Sequence, residues 1–134
     1  MNVIEVGAGL VFRDGKLLIT QRRPHDHLGG LWEFPGGKRE PNESFEQCVR
    51  RELIEELGIR VRVGRLLVDL QHAYPERTVR LCFYRCTLED GEPSLLGVHA
   101  LAWVTRDELE RYEFPAADVQ LLGMLRTSDE VWRR

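Results

Sequence analysis

The sequence has little cysteine: Cys48, Cys82 and Cys86 are the only three in 134 residues, and no Cys-x-x-Cys pair is present. An odd number without paired spacing fits a reduced, cytoplasmic setting better than a disulfide framework or a thiolate zinc site. No apolar run approaches the ~20 residues of a membrane span, and the opening stretch shows neither a charged leader nor a cleavage site, so no membrane partner is expected. An excess of positive charge is also lacking: 19 Lys+Arg stand against 22 Asp+Glu, a net charge of −3. That balance argues against a partner of duplex nucleic acid. Repeats, low-complexity tracts and linkers are absent. What is present is 43% hydrophobic and 31% charged residues, enough for one packed domain over residues 1–134, burying about two-thirds of the unfolded surface.

Val3 to Phe12 is an apolar run, and Leu17 to Thr20 follows it after Asp14-Gly15. An Asp-Gly pair between apolar runs predicts a hairpin, because such a turn needs positive φ. Gln21 to Lys38 reads as irregular, broken by Pro24, Gly29-Gly30, Pro35 and Gly36-Gly37. Ser44-Phe45-Glu46-Gln47 is a capping box that opens a helix, and Gly58 closes it. Arg60 to Val68, Val79 to Arg85 and Ala100 to Val104 read as strands. Thr105 to Glu108 is a second capping-box candidate for a short helix to about Tyr112, and Pro115 opens a last helix to about Arg126. The expectation is an α+β fold with a mixed sheet.

The helix after Ser44 ends Arg51-Glu52-Leu53-Ile54-Glu55-Glu56-Leu57. At about 100° per residue, Glu52, Glu55 and Glu56 share a sector roughly 100° wide, which Phe45, Cys48 and Val49 occupy one turn earlier. The stripe begins apolar and turns acidic. Like charges so placed destabilise a helix by about 0.2–0.5 kcal/mol per pair in water, and at an effective dielectric of ~20 two charges 4 Å apart repel by about 4 kcal/mol. A divalent cation removes that conflict, and oxygen-only ligands suit Mg²⁺ or Mn²⁺. The alternative is a solvated face on which Arg50, Arg51 and Arg60 neutralise the acids.

Upstream of this helix, Gly37 is separated from Glu43 by five residues and Glu43 from Arg51 by seven, and Arg51-Glu52-Leu53-Ile54-Glu55-Glu56-Leu57-Gly58-Ile59 follows without a gap. The segment matches the Nudix box, and the chain resembles the MutT-like nucleoside triphosphate pyrophosphohydrolases. The wider likeness runs through Gln21-Arg22-Arg23, Leu31 to Lys38, Trp103-Val104 and Phe114 to Asp118. The resemblance implies a Nudix fold, an α/β/α sandwich around a central mixed sheet. It implies that Glu52, Glu55 and Glu56 hold Mg²⁺ (or Mn²⁺), together with a backbone carbonyl at Gly36 or Gly37. Glu52 is the favoured general base, with Glu55 and Glu56 as rivals. Glu43 and Arg51 are expected to form a structural ion pair.

Lys38 and Arg22 are the candidate phosphate contacts, because a fixed cation offsets charge that develops on a leaving group; Lys38 is thereby counted with the catalytic set. Arg23 is expected to point away from Arg22. Asp118 stands where MutT-like relatives read the base with Asn or Asp, although an acid there also suits a helix N-terminus. Phe34 is the candidate base contact beside it, and Trp32, Tyr74 and His72 read as more structural. Relatives carry a further Glu six residues before the Trp that is here Trp103, and this chain has Gly97. Glu89, Asp90 and Glu92 are the acids that could reach in instead. The implied activity is hydrolysis of a (deoxy)nucleoside triphosphate to monophosphate and pyrophosphate, with attack at the β phosphorus mildly favoured. Its expected role is sanitising the nucleotide pool of 8-oxo-dGTP and so supporting DNA repair, in a monomer or small homo-oligomer. CTP or a modified pyrimidine triphosphate is the alternative substrate, and a catalytically silent Nudix-fold binding module is the alternative class.

Overall fold

A computed structural model describes residues 3–133. The elements run β1 (Val3–Arg13), β2 (Lys16–Gln21), β3 (Trp32–Glu33), β4 (Gly36–Lys38), α1 (Phe45–Leu57), β5 (Arg60–Ala73), β6 (Thr78–Asp90), β7 (Ala100–Val104), 3₁₀ turns at Asp107–Arg111 and Ala116–Asp118, α2 (Val119–Thr127) and α3 (Asp129–Trp132). The seven strands form one mixed sheet ordered β3-β2-β1-β6-β5, with β4 paired to β1 and β7 to β2. β1 and β6 run parallel over ten residue pairs, Val3↔Thr78 to Phe12↔Thr87, and the other pairings are antiparallel. The sheet separates two cores. Val11, Leu18, Cys82, Tyr84 and Cys86 pack under Val49, Leu53 and Leu57 of α1. Leu10, Leu17, Ile19, Phe34 and Phe83 pack on the other face with Leu121 and Leu125 of α2. This is the expected α+β sandwich, and alternation along each strand supplies both cores at once. Among the described residues no helix is long and apolar enough to cross a membrane.

Local signals account for most boundaries. Asp14 and Gly15 both take positive φ, 52° and 75°, at the β1–β2 turn. Ser44 Oγ accepts the Gln47 N–H at 3.0 Å while Gln47 Oε1 accepts the Ser44 N–H at 2.8 Å, which closes the capping box. Gly58 ends α1 in the left-handed region, φ 69°, with its N–H on the Ile54 carbonyl.

Four expectations need correction. The segment from Gln21 to Lys38 is not wholly irregular, since it contains β3 and β4. A Cβ on Gly36 would lie 2.6 Å from the Ala8 Cα, so the glycines that look like breakers are what let β4 lie against β1. β5 and β6 extend past the predicted strands to form a long hairpin ending at Ala73 and Thr78. The segment after Thr105 is a 3₁₀ turn without a side-chain cap. Only half of the predicted box forms, the Thr105 N–H donating to Glu108 Oε1 at 2.8 Å. The predicted last helix is split into a 3₁₀ turn and α2, and α3 follows it.

Candidate active site

A cleft of about 430 Å³ opens between the α1–β4 contact and the turn before α2. Its wall brings together Arg22, Phe34, Gly36, Gly37, Lys38, Glu52, Glu56 and Asp118 from the predicted set, and adds Glu33, His27, Tyr74 and Arg77. Glu55 is not among the lining residues; its side chain is 56% exposed and bonded to Arg51.

The α1 side of the cleft is held by Arg51. Its guanidinium donates to Glu43 at 2.6 and 3.0 Å, to Glu52 at 3.0 Å, to Glu55 at 3.2 Å and to the Lys38 carbonyl at 3.0 Å. The expected Glu43–Arg51 pair is therefore present, and the Arg51 bonds hold the Glu43 carboxyl down at about 2. Burial raises Glu52 above the usual carboxylate range despite the pull of Arg51. Burial raises Glu56 to about 8, helped by the charges of Glu33 and Glu52. One Glu56 oxygen, Oε1, is buried with no hydrogen-bond partner.

β4 carries the other half of this wall. A Cβ at Gly37 would come within 2.5 Å of both Glu52 carboxyl oxygens. The Gly37 carbonyl accepts the Cys48 thiol at 3.3 Å. Successive carbonyls of a strand point to opposite edges, so Gly36 presents its carbonyl on the edge away from that contact. Of the two backbone candidates, Gly36 is the one left free of Cys48.

On the opposite wall Arg22 is not free. It pairs with Glu33 at 3.0 Å and donates to the His27 carbonyl at 2.6 Å. Arg23 points elsewhere, as alternation predicts, and donates to the Leu96 carbonyl at 3.2 Å. Glu33 escaped the sequence reading. Its signal was an acid between Trp32 and Phe34 in an apolar run, a pattern that marks a buried charge. Burial raises its carboxyl against the pull of Arg22. Asp118 is 6% exposed and makes no helix-capping bond. Burial pushes it up to about 7, and the charge of Glu33 adds to the effect. Phe34 lines the cleft but stacks on Phe114 with centroids 5.2 Å apart. Trp32 packs on Tyr112 in the α2-side core, and Tyr74 sits edge-on to His27 and His72.

None of the acids offered as substitutes at Gly97 lines the cleft: Glu92 is bonded to Arg13 at 3.0 Å, and Glu89 and Asp90 are exposed. Gly97 instead lies on α1, where a Cβ would meet the Glu56 Cα at 3.3 Å.

The NUDIX domain pattern matches residues 7–124, and the chain belongs to that family. It is 39% identical over 122 residues to the CTP pyrophosphohydrolase of Escherichia coli K12, covering 91% of this chain and 90% of the relative. It is 31% identical over 127 residues to the 8-oxo-dGTP diphosphatase of the same organism, covering 94% and 98%. Among solved structures, the E. coli ORF135 protein superposes with a TM-score of 0.79 at 39% identity, covering 92% and 88%. A MutT NUDIX hydrolase from Burkholderia pseudomallei reaches 0.84 at 26% identity, covering 96% and 100%.

Hydrolases of this family generally use divalent metal ions. Among the described residues no three acidic, imidazole or thiol groups are gathered closely enough to hold one, and Arg51 is bonded to both Glu52 and Glu55. The donor chemistry nevertheless fits. Glu56 Oε1 is orphaned, Glu52 lies over a glycine that leaves it room, and every donor is oxygen.

Two outcomes follow from this geometry. Gly37→Ala displaces the Glu52 carboxyl, and kcat falls by about 100-fold, the cost of a roughly 1 Å misplacement; steady-state kinetics with circular dichroism as the fold control checks this. An acid raised on folding stabilises the native state while protonated, and that contribution is lost as pH climbs from the unfolded value near 4 through the folded one. With Asp118 at about 7, this residue contributes a loss of thermal stability between about pH 4 and 7. Asp118→Asn lacks that part of the loss, so its Tm, followed by calorimetry in chelator, falls less over the same range.

Proposed function

We propose that residues 1–134 act as one domain that hydrolyses (deoxy)nucleoside triphosphates to the monophosphate and pyrophosphate with Mg²⁺, and that its cytoplasmic task is to clear oxidised nucleotides such as 8-oxo-dGTP from the pool. The observation that carries this reading is one cleft with an orphaned Glu56 oxygen beside a glycine-lined strand on one wall and a buried, unpaired Asp118 on the other. The first wall suits a cation and polyphosphate, and the second suits a base. A second reading, CTP or a modified pyrimidine triphosphate as substrate, is favoured by the 39% identity to a CTP pyrophosphohydrolase.

In this reading Glu52, Glu56 and the Gly36 carbonyl hold the ion, and Glu55 joins them once released from Arg51. When bound, a divalent cation neutralises phosphate oxygens and lowers the pKa of water. Glu52 takes the proton from the attacking water, being half-buried yet bonded only to the adjacent Arg51. Lys38 and Arg22 steady the phosphates, which requires Arg22 to exchange Glu33 for the substrate. Asp118 reads the base. Ionised, it accepts two adjacent N–H donors, as guanine presents; protonated, it pairs a donor with an acceptor, as cytosine requires.

The test is a panel of canonical and oxidised (d)NTPs with Mg²⁺, read by pyrophosphatase-coupled phosphate release and compared by kcat/KM. No release from any triphosphate would leave a binding module in place of an enzyme. Glu52→Gln lowers kcat by at least ~100-fold, the lower range for losing a general base; near-normal turnover would move the base to another acid. Asp118→Ala raises KM for the preferred base and leaves poor substrates unchanged. Equal losses across the panel would make Asp118 structural.

A further inference from the structure

Cys48, Glu52 and Glu56 recur every fourth residue on the face of α1 turned to β4. Each meets β4 differently. Glu56 leaves a buried oxygen without a partner near the Gly36 peptide, Glu52 lies over Gly37, and Cys48 donates its thiol to the Gly37 carbonyl at 3.3 Å. Cys48 is fully buried, and its sulfur lies 3.3 Å from where a Cβ of Gly7, the β1 partner of Gly37, would stand. The thiol therefore sits over the Gly7–Gly37 pair, shut off from water.

Two side-chain bonds tie β4 to α1: Arg51 to the Lys38 carbonyl and Cys48 to the Gly37 carbonyl. Arg51 is shared among Glu43, Glu52 and Glu55 as well, and any rearrangement of those acids disturbs its hold. The Cys48 thiol also lies within reach of the Glu43 carboxylate and the Gly7 N–H, but its contact with the Gly37 carbonyl does not pass through Arg51. Burial pushes the thiol up to about 11, so it keeps its proton and remains a donor across neutral pH. A methyl group would fill much of the same space, so what the sulfur adds is the bond.

We propose that Cys48 is a positioning residue: its S–H···O bond fixes the Gly37 peptide against α1 and thereby sets the Gly36 carbonyl in line with Glu52 and Glu56. The proposal rests on the reading that those three groups hold a divalent cation. The thiol itself touches neither ion nor substrate. Its effect is on the spacing of α1 and β4, the two halves of the wall that does.

The experiment follows the Gly37 carbonyl ¹³C resonance in the cation-free protein and the Mn²⁺ dissociation constant by calorimetry, in wild type, Cys48→Ala and Cys48→Ser. Cys48→Ala moves the Gly37 carbonyl upfield, as loss of a donor does, and weakens Mn²⁺ binding by about two- to tenfold, the range for one modest hydrogen bond. Cys48→Ser, which keeps a donor, restores most of both. Turnover at saturating nucleotide falls with the cation affinity, whereas nucleotide KM at saturating Mn²⁺ stays level. An unmoved Gly37 resonance in Cys48→Ala, or a moved resonance with an unchanged Mn²⁺ constant, overturns the role of Cys48. Failure of the unaltered protein to take up Mn²⁺ strikes down the cation reading instead, and the carbonyl shift still reports separately on the bond.

Discussion

The site depends on a helix lying against a strand that has no side chains in the way. Cys48, Glu52 and Glu56 of α1 all face Gly36-Gly37, and a Cβ at either glycine would overlap either β1 or the Glu52 carboxyl. On β1, a Cβ at Gly7 would press on Val49 at 3.1 Å, so the helix also descends on its own side. Close approach is worth having because it places carboxylates and backbone carbonyls in one small volume. Larger residues here would collide with β1 and the Glu52 carboxyl at the wall of the cleft. The capping box at Ser44 and the left-handed Gly58 then fix where the helix starts and stops, and so which of its turns reaches β4.

That closeness carries an electrostatic load. Glu33, Glu52, Glu56 and Asp118 all have carboxyls raised by burial, and they share the cleft with Arg22, Lys38 and Arg77. Two unit charges 4 Å apart at an effective dielectric of ~20 repel by about 4 kcal/mol, so the acids relieve one another by protonation or by borrowing Arg22 and Arg51. A polyphosphate entering such a cleft meets acids of its own sign. The load is tolerable only if a cation accompanies it and the borrowed arginines are returned. Arg51 bonds both Glu52 and Glu55, and its charge opposes the rise that burial gives the Glu52 carboxyl.

Much of this was legible in the sequence because the signals were local. Asp14-Gly15, Ser44 to Gln47 and Gly58 each satisfy a backbone demand within a few residues, and each is found where read. The Glu43–Arg51 pair was legible only through the resemblance to the Nudix box. What escaped was set across the sheet. Gly36-Gly37 looked like breakers because the need for them lies in β1 and α1, far away in sequence. Glu33 looked like one acid in an apolar run because its neighbours, Arg22 and Glu56, arrive from the loop after β2 and from α1. Glu55 shares the helical sector of Glu52 and Glu56 yet stays outside the cleft, since angular position on a helix says nothing of how far the strand beneath extends.

Gly97 shows how one such departure is absorbed. The N–H groups of Leu96 and Gly97 both donate to the Glu56 carbonyl, at 3.1 and 3.0 Å, and the Ser94 N–H donates to Leu57 at 2.9 Å. The last turn of a helix leaves carbonyls without partners, and this segment satisfies them from outside. Arg23 in turn holds the Leu96 carbonyl, which links the loop carrying His27 to the end of α1. With glycine at 97 the backbone comes within contact distance of Glu56 and braces it, whereas a long acidic side chain would have to leave along the surface of Glu56 itself. The Leu96–Gly97 backbone thus completes the last turn of α1 at Glu56 without touching its carboxylate oxygen Oε1. Glu33, raised by burial and drawn down by Arg22, in turn ties part of the charge of the cleft to whatever draws Arg22 away.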